Sequence, residues 1–60
     1  MTKKDYEKIA KVIHGQKVRY MFDAQSQAVV YDLAEAIANS LAQDNPRFDR
    51  ERFLKACGVS

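Results

Sequence analysis

Sixty residues, 47% of them hydrophobic and 30% charged, predict one folded domain spanning 1–60, with no room for a second and no sign of disorder. Ten Lys and Arg against eight Asp and Glu give a net charge of only +2, so the placement of the cations matters more than their sum. One cysteine excludes an intrachain disulfide, two glycines argue against a phosphate-cradling loop, and no apolar run approaches the roughly 20 residues of a membrane span.

The N-terminal stretch MTKKDYEKIAKVI lacks the apolar centre of a signal peptide, so the expected setting is a reducing cytoplasm with no membrane partner. Thr2 is a candidate N-cap, and Asp5 three residues on supplies a T-x-x-D variant of the capping box. Tyr6, Ile9, Ala10 and Ile13 then fall at i, i+3, i+4 and i+7, the stripe of an amphipathic helix near 3–14. Gly15 is a natural stop, although a helix running through it would lose only about 1 kcal/mol relative to Ala.

Residues 16–22, QKVRYMF, fit two patterns. Val18, Tyr20 and Phe22 alternate as in a strand, whereas His14, Val18, Met21 and Phe22 recur at helical spacing. A lone strand would have nothing to pair with, so the expectation is a helical or irregular connection that anchors its aromatics on the core.

The longest element is predicted near 24–43, capped by Asp23 or Ser26 and carrying Val30, Leu33, Ala34, Ile37 and Leu41 on one stripe. Asp32, Glu35, Asn39 and Gln43 lie on the opposite, solvated side. Pro46 drives Asn45 out of the α region and ends this helix by Asp44. A last helix follows near 49–57. Asp49 caps it, Phe48 and Phe53 occupy the two positions of a hydrophobic staple, and Gly58 ends it. The fold class is therefore all-α: a small three-helix domain around Ile9, Ile13, Val30, Leu33, Ile37, Leu41, Phe48, Phe53 and Leu54.

The segments D-Y-E-K-I-A at 5–10, L-A-E-A-I-A-N-S-L-A at 33–42 and N-P-R-F-D-R-E-R-F-L-K-A-C-G at 45–58 carry a resemblance. Together they resemble a group of short accessory proteins encoded by phages, prophages and integrated elements of bacteria. In these, D-[YF]-E-x-I-A leads to a C-terminal N-P-R-F-D-R-x-R-F-L-x-A-C-G. Residues 16–28 lie outside the resemblance. It implies an origin, a mobile-element gene acting in a bacterial cytoplasm, and carries no mechanism.

The candidate chemistry is cationic. Arg47, Arg50 and Arg52 interleave with Phe48 and Phe53 at the start of a helix, where arginine forks beside free N–H groups suit phosphate or carboxylate. The plainer reading solvates those arginines or pairs them with Asp44, Asp49 and Glu51, the stem of Arg50 covering the core edge. Lys4, Lys8 and Lys11 run along one side of the first helix. A nucleic-acid surface requires them to share a face with the arginines. His14 and Cys57, each unique, satisfy neither a nucleophilic site nor the four ligands of zinc. Cys57 reads as a core hydrophobe and His14 as a helix-end residue favoured by the dipole. The corner at Asn45 to Phe48 invites a helix-turn-helix reading, but most such corners are architecture. The expected function is thus non-enzymatic, with no catalytic, cofactor-binding or metal-binding residue. It is binding of a host or phage protein, with nucleic acid as the alternative and a homodimer left open by the apolar Val18, Tyr20, Met21 and Phe22.

Overall fold

A computed structural model, described here for residues 2–59, contains three helices and no strand among those residues: α1 (Lys3–Arg19), α2 (Ala24–Asp44) and α3 (Arg50–Cys57). The small all-α domain with a long central helix is what the apolar periodicity requires. At 1.5 Å per residue the 21 residues of α2 span about 31 Å, nearly the 34 Å long axis of the molecule. The other two helices lie along that rod, and α3 packs against both.

The start of α1 is tied by Asp5, whose carboxylate accepts from the Thr2 backbone N–H at 2.8 Å and from the Thr2 hydroxyl at 3.2 Å. The helix does not end at 14. It runs through Gly15, which lies on an open side where even a Cβ would meet nothing, to Arg19. Its late end is held from α2, where the Gln27 side-chain amide donates to the Lys17 carbonyl at 2.8 Å and so occupies a carbonyl left free in the last turn. His14 is consequently an interior, exposed residue of α1, and the helix-end role expected of it does not apply.

Residues 20–22 form the turn into α2. Its aromatics are not anchored on the core: Phe22 is 96% exposed, and Tyr20 and Met21 are also exposed. Asp23 caps α2, its Oδ1 accepting from the N–H groups of Gln25 (3.2 Å) and Ser26 (3.4 Å) and its Oδ2 from the Ser26 hydroxyl at 2.9 Å. Asn45, with φ −137° and ψ 103°, is extended ahead of Pro46 and stops the helix.

α3 closes the fold. Asp49 accepts from the Arg52 N–H at 3.0 Å. At the other end Gly58 takes φ 79°, and the N–H groups of Gly58 and Val59 return to the carbonyls of Lys55 and Leu54. That pair of bonds is a Schellman motif, and Val59 packs back on the core as the motif favours. The buried residues are Ala10, Ile13, Val30, Ala34, Ala38, Phe53, Leu54 and Cys57. Leu33 is not among them. At 54% exposed it sits at the edge, since the inward face of α2 follows Val30, Ala34 and Ala38 at four-residue steps. Ile9, Ile37, Leu41 and Phe48 pack against the core half-buried.

Candidate binding groove

Between α1 and the connection leading into α3 runs an open groove. Its floor is aromatic. Tyr6 meets Phe48 edge-on, ring centroids 4.8 Å apart at 61°, and Phe48 tilts onto Phe53 at 5.4 Å and 58°. Both are the offset geometries that aromatic quadrupoles favour. Phe48 is the N′ residue and Phe53 the N4 residue of α3, so the hydrophobic staple of the last helix is also the base of the groove.

One residue braces the connection to α1. The Asn45 side-chain amide donates to the Tyr6 hydroxyl at 3.1 Å, while its Oδ1 accepts from the Arg47 N–H at 3.1 Å in an Asx turn. The Phe48 N–H returns to the Asn45 carbonyl at 3.0 Å. Arg47 and Phe48 are thereby set facing α1. No local pattern in the sequence places Tyr6 and Asn45 at this site. The Asn-Pro step carries a turn signal, but nothing in the sequence says that its amide reaches a tyrosine 39 residues away.

The cations converge in large part. Lys4, Lys8 and Lys11 line the groove from α1, with Lys3 beside them, and Arg47 and Arg52 line it from the other side. Arg50 does not join them: its Nε donates to the Asn39 side-chain carbonyl at 2.7 Å, fastening α3 to α2. The half-buried Arg50 is therefore a packing residue and leaves the candidate surface.

Three carboxylates also line the groove, against six cations. Asp5 is engaged at the start of α1, and its bonds to the Thr2 backbone and then the Thr2 hydroxyl hold its carboxyl below the usual carboxylate range. Asp49 caps α3 through the Arg52 N–H, so the chain's own carboxylate stands at the helix start where the anion site is expected. Glu7 remains. The result is a cationic rim over an apolar floor.

His14 and Cys57 form no reactive pair. Cys57 is fully buried, and burial pushes its thiol pKa up, away from the nucleophilic thiolate. The His14 ring instead packs where Gly58 turns. Among the described residues no three His, Cys, Asp or Glu side chains gather as metal ligands, and no helix is long and apolar enough to cross a membrane. Comparison with protein-family models, with curated proteins and with solved structures returns no match.

Proposed function

We propose that this chain is a non-enzymatic binding module whose α1–α3 groove takes an acidic, amphipathic segment of a host or phage protein. One observation carries the reading: cations line both sides of a floor made of Tyr6, Ala10, Phe48 and Phe53. An amphipathic helix laid in such a groove would bury its apolar face on the aromatics and set carboxylates against the rims. The likeness of the terminal motifs to mobile-element accessory proteins supports a bacterial cytoplasmic setting for that partner.

Nucleic acid is the second reading, and the convergence of Lys4, Lys8 and Lys11 with Arg47 and Arg52 favours it specifically. Against it, the rings pack edge-to-face and tilted on one another rather than side by side as stacking platforms, and Glu7 and Asp49 would face a phosphate backbone. Packing of Phe53, Leu54 and Cys57 into the core also keeps that side of α3 from reading a groove of DNA.

Fluorescence anisotropy separates the two. The probes are a labelled acidic amphipathic helical peptide and labelled single- and double-stranded DNA, each at roughly 50 and 200 mM salt. The peptide is expected to bind with mild salt dependence and to lose about tenfold or more in affinity on Arg52→Glu, as an anchor residue does. A glutamate three residues after an N-cap favours a helix start, so this variant keeps α3. Tight DNA binding with a salt slope of several units, alongside no peptide binding, would give the site to nucleic acid.

A further inference from the structure

A second face of the molecule, sharing no lining residue with the basic groove, lies where α1 and α2 run side by side. Val12, Tyr20, Val29 and Leu33 stand out along it, over the half-buried Ile9 and Ile37. Val12 is 63% and Val29 65% exposed, too much apolar surface on one side to be scattered chance. We infer that this face pairs with the same face of a second copy, making the protein a homodimer built on a four-helix core of two α1–α2 pairs.

Charge identifies the occupant. The polar residues lining the face are Gln16, Gln25 and Ser26, with no charged side chain among them, in a chain where 30% of residues are charged. A two-fold interface brings each patch against its own copy, so any charge at its centre would meet a like charge. A face with no charge at its centre meets that condition; the Arg19 guanidinium, 5.6 Å from the Tyr20 ring centroid, stands at its end.

Area points the same way. A monomer of 6.9 kDa is expected to expose about 4,000 Å², whereas this chain exposes 4662 Å². The excess belongs to the whole chain, and the exposed Val12, Val29 and Leu33 of this face contribute to it. The Cα radius of gyration, 11.2 Å, likewise exceeds the ~10.4 Å of a compact 60-residue chain. Burial inside the monomer is correspondingly thin: three of its eight buried residues are alanines, and the bulkiest side chain fully removed from solvent is Cys57. Pairing would cover Leu33 and Val29 and give α2 a second apolar neighbour, the arrangement of an antiparallel bundle.

Sedimentation equilibrium and thermal melts on the full chain, from about 5 to 300 µM, test the pairing. The expected species is a dimer of about 14 kDa, twice the 6.9 kDa chain, with a Tm that rises with concentration as mass action requires. Leu33→Glu and Leu33→Lys, each at a position exposed in the single chain, are expected to abolish the homodimer separately. Mixed in equal amounts they are expected to restore it, because in the inferred pairing Leu33, midway along the α2 side of the face, lies close to the two-fold and so opposite its own copy. Should either variant lose helicity alone, the mixture still decides: recovery of helix on mixing supports the shared face, and no recovery overturns it. A 6.9 kDa species with a concentration-independent Tm would overturn the proposal, leaving the face to another partner or to solvent. A dimer indifferent to both substitutions would overturn it equally.

Discussion

The two glycines have opposite conformational roles. Gly15 lies inside α1 with open space where a Cβ would be, so the chain bears the entropic cost of a mid-helix glycine without a packing return. Gly15→Ala is expected to stabilise the fold by about 0.5–1 kcal/mol. Gly58 sits at φ 79° with the His14 ring 2.8 Å and the Lys17 amine 3.2 Å from where a Cβ would stand. There Gly58→Ala adds a left-handed non-glycine residue, about 1–2 kcal/mol, and displaces the imidazole as well. Denaturant titrations of the two variants should move in opposite directions. A shift of the same sign in both would show that one of these backbone assignments is wrong.

Elements differ in how plainly the sequence announces them. α3 was legible down to its cap, its staple and its terminal glycine, because each signal is local and they agree with one another. The existence of α2 is legible for the same reason, and so is most of its inward face: Val30, Ala34, Ile37 and Leu41 pack on the core, while Leu33 stands at the edge and Ala38 takes its place. Leu33 is the larger hydrophobe, yet Ala38 completes the four-residue rhythm of Val30 and Ala34, and alanines are easily passed over in a stripe counted by bulk. The end of α1 was hidden because its determinant is remote: the Gln27 amide on the Lys17 carbonyl holds a turn that Gly15 alone would be expected to release. The groove shows the same division. Most of its cations are legible from spacing, whereas Arg50 is held away by a tertiary bond to Asn39 that no local pattern encodes. The staple carries the clearest energetic expectation at this scale. Phe53 is buried beneath Phe48 and also packs with the core, so Phe53→Ala should cost about 3 kcal/mol or more. A core this small rarely supplies more than about 3–5 kcal/mol, so most molecules should lose their far-ultraviolet helical signal at room temperature. A variant that melts with the parent would remove α3 from the cooperative unit.

For the molecule as a whole, acid acts along two routes. Asp5 and Asp23 are capping carboxylates held below the ordinary value of 3.8, Asp5 chiefly by the Thr2 backbone and Asp23 chiefly by the Ser26 hydroxyl and then the Ser26 backbone. A lowered folded-state pKa means the unfolded chain binds protons more readily, so these groups stabilise the fold above the unfolded value. That stabilisation is lost as pH falls through the folded one. The second route is repulsion. Protonating the eight acids leaves the ten Lys and Arg unopposed, and six of those cations crowd one groove whose three carboxylates had offset them. Salt distinguishes the routes, because added ions screen repulsion between exposed charges but do not restore a deprotonated cap. Thermal melts at about pH 7 and pH 3, in low and high salt, should show the wild-type Tm falling with acid and recovering only in part with salt. Asp23→Ala should begin lower at neutral pH and fall less, converging on the wild type as the cap it lacks is protonated away in the parent. Parallel loss in both proteins would remove Asp23 from the acid response and leave it to Asp5 and the groove. A Tm indifferent to pH would deny that either route matters to a fold this small.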